Sequence, residues 1–361
     1  MRINFKNAKI SALVTIIPEI QINIDDELNT TYNGDKKKLD RIKNAMGLQY
    51  KHIVNNKTSV SDLSQYGVKL LCDEYELDKN TIDAIVVITQ TPDFFIPATA
   101  CYLHGKLELP QTTLAFDINQ SCTGFVYGLY ILFSMIENGG CKRILMICGD
   151  IGSQLDNKTN NKSTKIIGDG VSVSLLELSN HSCESFFELG VDGKNMEYLF
   201  VPYGAFKRPT KHMFNDTEWF NKQNKEIYMN GLEIFNFATQ KEPEAFKSIL
   251  NYANCTKNEL DYIFFHQANK TIVDIITQRL QLDPNKTPNN IITKYGNLSG
   301  ASIPATICDW LNTAQKPLEK SLKIALGSFG AGLSWANAIL ELDKNFWCKK
   351  TQIYKQGETL Q

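Results

Sequence analysis

Charge of one sign is missing from this sequence. Its 38 Lys and Arg stand against 39 Asp and Glu, a formal charge of −1. Such a balance gives nucleic acid or an anionic membrane no field to follow, although an acidic carrier can still dock on a local basic patch. Long apolar runs are missing too. The longest apolar window, Gly124 to Ile136, is shorter than the roughly 18 residues a membrane span requires. The opening MRINFKNAKISALVTIIPEI alternates as a strand does and has no small-residue cleavage site, so neither a membrane helix nor an export signal is expected. Paired cysteine motifs are the third absence. Nine cysteines, an odd number with no CxxC and no regular spacing, argue against a disulfide framework and a structural zinc site. A reducing cytoplasm is the expected setting.

What is present is length and alternation. At 361 residues the chain exceeds the usual single core, so one large duplicated domain or two domains are expected. Ile10 to Pro18 reads as a strand, followed by an exposed Asp-, Asn- and Lys-rich excursion with an amphipathic helix near Lys38 to Met46. Val60 to Leu77 is predicted as a helix, Ile82 to Thr89 as a buried strand, and Pro97 to Leu107 as a helix with its proline in the first turn. Residues 114–136 then read as strand, turn and helix. Strand Arg143 to Cys148, a polar loop from Asn157 to Lys165 and strand Val171 to Leu178 follow, and residues 200–228 form the longest irregular connection. The second half repeats the first. Lys79 to Ile85 resembles Lys257 to Ile263, Arg143 to Gly149 falls on Leu322 to Gly327, and Cys122 on Gly300, all near an offset of 178 residues (Lys79 to Lys257). Two such α/β halves pack as layers, helices between and outside two sheets, with facing loops forming the pocket.

Cys122 stands at the turn between the strand and the helix of residues 114–136. Unpaired N–H groups and the helix dipole favour thiolate there, and thiolate is the nucleophile. A free cysteine in apolar surroundings is otherwise a small buried hydrophobe. His266 ends the apolar strand Tyr262 to Phe265 and precedes a helix through Leu280. It either points into the cleft or is a hydrogen-bonded structural histidine. Asn297, ahead of the helix Ile303 to Leu311, serves catalysis or only its turn. Gly327 to Gly332 joins two strands, and closely spaced glycines allow backbone N–H groups to approach a ligand. Gly168-Asp169-Gly170 reads as structural, since no phosphate-binding helix follows it.

Together these residues resemble the β-ketoacyl-acyl-carrier-protein synthase III family of the thiolase fold. The matching pieces are FDINQSCTGFVYGL (116–129), GDGVSVSLLE (168–177), HQAN (266–269), YGNLSGASIP (295–304) and GSFGAGLSWANAIL (327–340). The resemblance implies a layered αβαβα fold of two duplicated halves, residues 1–178 carrying the cysteine and 179–345 carrying histidine and asparagine, before a tail at 346–361. It implies Cys122 as acyl-accepting nucleophile, His266 and Asn297 as its partners, and the N–H groups of Cys122 and Ala331 as the oxyanion hole. Phe329, Gly330 and Ile96 then belong to the acyl site, Ile96 reaching the pocket of the second subunit of a homodimer. Arg41, Lys43 and Lys270 offer a rim of basic side chains on which an acidic acyl-carrier protein can dock, and Asn269 and Gly231 are further candidate positions for the carrier or coenzyme A. Those thioesters are substrates, and no metal or organic redox cofactor is called for.

The implied reaction is decarboxylating condensation, with the Cys122-bound acyl group joined to a malonyl-carrier thioester. An acyltransferase to an oxygen or nitrogen acceptor and a catalytically silent partner subunit are the alternatives. A thiolase needs a second cysteine near the last glycine turn, and none lies between Asn312 and Trp347. Plant-type polyketide synthases carry proline where this chain reads Gly330-Ala331-Gly332. The chain departs from its family where coenzyme A is held. Arg41 and Ala45 stand in place of a tryptophan and an arginine and Thr271 in place of a basic residue; separately, just before Cys122, Gln120 and Ser121 stand in place of small apolar residues. An acyl-carrier donor is therefore expected to be preferred to free acyl-coenzyme A.

Overall fold

The computed structural model describes residues 1–155, 166–208 and 227–356. Its strands in chain order are β1 (Arg2–Phe5), β2 (Ala8–Pro18), β3 (Ile20–Asn23), β4 (Tyr50–Ile53), β5 (Ala84–Ile88), β6 (Leu114–Ile118), β7 (Arg143–Asp150) and β8 (Gly170–Leu178), then β9 (Ser185–Val191), β10 (Leu199–Phe200), β11 (Tyr228–Met229), β12 (Tyr262–Phe265), β13 (Leu322–Gly330), β14 (Ser334–Leu342), β15 (Trp347–Cys348) and β16 (Gln352–Tyr354). Two sheets carry the core. The first runs β15-β2-β8-β7-β5-β6, with β16 also on β2, and the second runs β1-β9-β14-β13-β12.

The duplication read from the sequence is visible in the pairing. In the first sheet β2 is antiparallel to β8, β8 antiparallel to β7, and β7 parallel to β5. In the second, β9, β14, β13 and β12 repeat that order and those directions. Each parallel strand is entered alike. A 3-10 turn, Lys79–Thr81 or Lys257–Glu259, leads to Asp83 or Asp261, whose N–H donates to the neighbouring strand at Arg143 (2.9 Å) or Lys323 (2.8 Å).

The apolar runs of both parallel strands require cover on both faces, and helices supply it. Gly124–Asn138 and Ser302–Leu311 lie between the sheets. Phe125, Leu129, Phe133 and Ile307 pack there against Val86 and Met146 of the first sheet and Ile324 and Leu326 of the second. Each fully buried Leu or Phe of this layer contributes roughly 2 kcal/mol. Val60–Glu74 and Thr99–Lys106 cover the outer face of the first sheet, and Gly231–Tyr252 and Lys270–Leu280 that of the second. The result is the αβαβα layering.

Some boundaries differ from expectation. The helix expected from Pro97 starts at Thr99, because the Asp117 carboxylate on β6 accepts the Thr99 and Ala100 N–H groups at 2.7 and 2.8 Å and caps the helix there. The glycine stretch from Gly327 is strand as far as Gly330, which pairs with Ser334, so only residues 331–333 turn. Residues beyond 345 lay β15 and β16 along β2, while β1 joins the second sheet. The polar loop at 157–165, and residues 209–226 of the long connection, lie outside the described residues.

One buried acid is an exception to this apolar packing. Glu242 sits in the helix Gly231–Tyr252, fully buried, with Oε2 3.4 Å from Asn337 Nδ2. Its Oε1 fills the space left by Gly327, 2.3 Å from where a Cβ would stand. Burial raises its pKa well above 4.5. The folded state therefore holds a proton that the unfolded chain has lost, so this contribution to stability is full below the unfolded pKa and fades as pH rises towards the folded one. Glu242→Gln keeps the shape and removes the titration. The melting temperature of the variant is expected to fall less than that of the natural chain between about pH 5 and pH 8; equal slopes would mean that Glu242 is ionised in the folded state.

Candidate active site

The two loops that the repeat makes equivalent meet at Cys122. A Cβ on Gly300 would lie 3.2 Å from the Ser121 carbonyl and 2.7 Å from Cys148 Sγ. A Cβ on Gly330 would lie 2.7 Å from Cys122 Cβ and 3.4 Å from its Sγ. Glycine at both positions thus lets the backbones of the two halves close around the thiol. A hydroxyl bridge ties them further: Thr123 Oγ1 is 3.0 Å from Ser334 Oγ, which donates to the Ala331 carbonyl at 2.8 Å. Both hydroxyl residues are buried.

The thiolate expected at Cys122 is corrected by its surroundings. Although the residue is partly open to solvent, enclosure of its thiol pushes the pKa up to about 11 from 9.0. The hydrogen bond from Ser299 opposes this, and the charge of Asp150 adds to it. A helix terminus is worth about 0.3–1 kcal/mol, less than one pKa unit, so burial wins. Cys122 rests as a thiol. Its Sγ lies 3.9 Å from Ser299 Oγ.

His266 leaves β12 with its N–H on the Gly327 carbonyl at 2.8 Å and its ring edge-on to Phe329, centroids 5.5 Å apart. Gln267 fixes the following segment, donating from Nε2 to the Pro288 carbonyl (2.9 Å) and accepting the Ile291 N–H (2.9 Å). Nδ1 of His266 has no partner among the described residues, which goes against a histidine held by hydrogen bonds through that atom. Burial pushes its pKa down to about 3, so the imidazole is neutral.

Asn297 is held through its backbone. Its N–H donates to the Ile166 carbonyl (2.8 Å), its carbonyl accepts from Gly168 N–H (3.0 Å), and its Oδ1 accepts the Ser299 N–H at 3.0 Å. The Gly168-Asp169-Gly170 stretch serves this placement. A side chain on Gly168 would strike the Tyr295 carbonyl, and Asp169 accepts the N–H groups of Val54 and Ser153 at 2.8 and 2.9 Å. The neighbours run His266, Phe329, Gly330, Cys122, Ser299, Asn297 without a break.

The outlying positions fall in two groups. Ile96 is 87% exposed beside Phe95 at 80%, away from the core of its own chain. Lys43, read as part of a basic rim, is instead held by both Asp25 oxygens at 2.7 Å, and Lys270 pairs with Asp274. Arg41 and Gly231 are exposed, and Asn269 caps the helix Lys270–Leu280 through the Ile272 N–H at 2.9 Å. Two of the departures from the family meet here, since the Thr271 hydroxyl donates to the Ala45 carbonyl.

A family model described as 3-oxoacyl-[acyl-carrier-protein] synthase III matches residues 116–193, which include Cys122, and one for its C-terminal part matches 250–342, which include His266, Asn297 and Ala331. A Clostridium perfringens β-ketoacyl-[acyl-carrier-protein] synthase III is 33% identical over 302 residues, 83% of this chain and 90% of its own. The chain belongs to this synthase III family. A Campylobacter jejuni protein that bears the synthase 3 name is 42% identical over 359 residues, covering 98% of this chain and 99% of its own. Among solved structures, a Burkholderia xenovorans 3-oxoacyl-(acyl-carrier protein) synthase superimposes with a TM-score of 0.90 at 29% identity, covering 99% of each chain. The Pseudomonas aeruginosa synthase III gives 0.80 at 25% identity over 96% of this chain and 100% of that one.

Within this family frame, sequence reasoning passed over Thr123, Asp150, Ser299 and Ser334. Thr123, Ser299 and Ser334 stand inside the motifs that carried the resemblance, but a hydroxyl in a motif announces no partner. If the Thr123 to Ser334 bridge spaces the Cys122 and Ala331 N–H groups, Thr123→Val or Ser334→Ala should lower thioester-driven acylation of Cys122 roughly tenfold, a fraction of the loss of a whole oxyanion donor. Alkylation by iodoacetamide forms no oxyanion and should keep its rate; equal losses in both reactions would reduce the bridge to a packing role.

Proposed function

We propose that this synthase III family member is a decarboxylating condensing enzyme, which takes an acyl group onto Cys122 and joins it to a malonyl-carrier thioester, giving a 3-oxoacyl thioester at the start of a fatty-acid chain. The observation that carries this reading is the convergence of Cys122 from one half with His266 and Asn297 from the other around the turn that follows Gly330. Cys122 sulfur attacks the acyl thioester while N–H groups at Cys122 and Ala331 meet the oxyanion. Loss of CO₂ from the malonyl group then leaves an enolate, whose carbon attacks the acyl-Cys122 carbonyl and displaces the Cys122 thiolate, which takes up a proton to return to the resting thiol. A neutral His266 and the Asn297 amide donate to the enolate oxygen, each worth roughly 3 kcal/mol. Coenzyme A or carrier thioesters enter as substrates, and the scheme needs no metal or organic redox cofactor. The cytoplasm is the setting proposed, in keeping with nine free cysteines and with no helix among the described residues long and apolar enough to cross a membrane.

For the acyl donor we favour the carrier thioester. The Ala45 and Thr271 pair offers neither an aromatic plane nor a guanidinium to a nucleotide, while Arg41 stands exposed beside them for an acidic carrier. A homodimer is proposed through Phe94, Phe95 and Ile96, an exposed apolar run next to Tyr102.

His266→Ala and Asn297→Ala should each slow CO₂ release from malonyl-carrier about 100-fold while Cys122 remains acylable. In the natural protein that release should show no titration near the ordinary histidine pKa of 6.5, because burial holds His266 neutral far below it. Release that persists in both variants would end the condensing role. Sedimentation at micromolar concentration should show a dimer that Ile96→Asp or Phe95→Asp weakens, and a monomeric natural protein would exclude the proposed interface.

A further inference from the structure

A thiol that rests protonated must lose its proton when it attacks, and the condensing scheme above names no acceptor. No hydrogen bond joins His266 to Cys122 among the described residues, and His266 faces Phe329. The group in hydrogen-bond range of Cys122 Sγ is Ser299 Oγ, at 3.9 Å. Ser121 Oγ is also close and lowers the thiol's pKa slightly, but it has no hydrogen-bond partner to which a proton could pass on. Behind Ser299 stands Asp150: the end of β7 packs against the turn that begins at Ser299, and the Ser299 hydroxyl helps to hold the Asp150 carboxyl down against the effect of burial. Asp150 is buried at the end of β7 and its Oδ1 accepts from Gln90 N–H (2.7 Å), Thr89 Oγ1 (3.0 Å) and Thr91 Oγ1 (3.4 Å). Ser299 is itself unusual. Its φ of 50° lies in the left-handed region, where glycine is at ease and a side chain is not, although Gly300 is the next residue. What serine adds at this position is a hydroxyl between a thiol and a carboxylate.

We propose that Ser299 and Asp150 form the proton outlet of Cys122. As sulfur attacks the acyl carbonyl carbon, the S–H bond breaks and its proton passes to Ser299 Oγ, while the Ser299 hydroxyl proton passes to the Asp150 carboxylate. The carbonyl π pair moves onto oxygen. When that oxyanion collapses, the carbon–sulfur bond of the donor breaks, its thiolate departs with the pair, and the proton returns through Ser299 to it. Asp150 ends ionised, as it began.

Electrostatics favours this route over loss of the proton to water. Cys122, Cys148, Asp150 and, further out, Asp169 are the titratable groups whose charges reach one another here. A Cys122 thiolate beside an ionised Asp150 puts two negative charges in one buried cluster, whereas transfer between them leaves one. Burial raises the Asp150 carboxyl above 3.8, which makes it a better proton acceptor than an exposed aspartate.

The inference rests on Cys122 being the nucleophile of the condensing reading, and the sign of one variant's effect decides it. If Asp150 acted only through its charge, Asp150→Asn would ease thiolate formation and speed alkylation. As proton acceptor its loss slows alkylation instead. The rate of Cys122 alkylation by iodoacetamide is read by intact-protein mass spectrometry, with Cys122→Ser as control and a melting curve for each variant. At neutral pH Asp150→Asn is expected to react at least about tenfold more slowly, with its rate rising only at higher pH. Ser299→Gly removes the hydroxyl and relieves the positive φ, so folding is not threatened, and the same slowing is expected. An Asp150→Asn rate at or above that of the natural protein, or a Ser299→Gly profile that matches it, would overturn the proposal. Acylation by a simple acyl thioester is measured in parallel: failure of every thioester with the relay intact would sink the condensing reading alone.

Discussion

Backbone contact at the seam between the halves is the constraint on which the site depends. A cysteine can be both enclosed and reachable only if its neighbours have no side chains where they touch it, and Gly300 and Gly330 meet that condition from two directions. The helix behind it obeys the same rule: a Cβ on Gly128 would strike Ile88 at 2.1 Å, so the Gly124–Asn138 helix sits close on β5 and β7 because that position is bare. Close packing of this kind leaves discrete arrangements rather than continuous play. The thiol and the imidazole are therefore fixed by the packed sheets, and the Asn297 amide by the Ile166 to Gly168 segment beside it.

Burial sets the charge state of the site in one direction. It raises the thiol of Cys122, lowers the imidazole of His266, raises Asp150 and brings Asp169 to about 6. The resting centre is close to neutral, with its charge confined to carboxyls that are well supplied with N–H and hydroxyl donors. Condensation suits such a site, since its oxyanion and enolate are charges that exist only in passing and meet dipoles already in place.

The layered fold and the three converging residues were legible in the sequence because they leave local marks. Buried parallel strands read as unbroken apolar runs, a helix between two sheets is apolar on every face, and a duplicated topology repeats at a constant offset. Other features are written nowhere locally. That Lys43 is spent on Asp25 requires residues eighteen positions apart to be seen together. That Cys122 stays protonated is a sum over its surroundings, which the helix terminus alone misjudged. The start of the helix at Thr99 depends on an Asp117 that arrives from a different strand, and the pairing of Ser299 with Asp150 joins two halves of the chain.

The strands β1 and β15–β16 also have a meaning for how the protein comes into being. Residues 2–5 complete the second sheet, and residues 347–354 complete the first. Each sheet is thus finished by a segment that belongs, in order of synthesis, to the other. While a ribosome is still making the second half, the first sheet waits with the long apolar strand β2 open along one edge, an invitation to wrong partners. Half a molecule is not a smaller version of the whole: the first-made sheet stays open along β2 until residues 347–354 arrive.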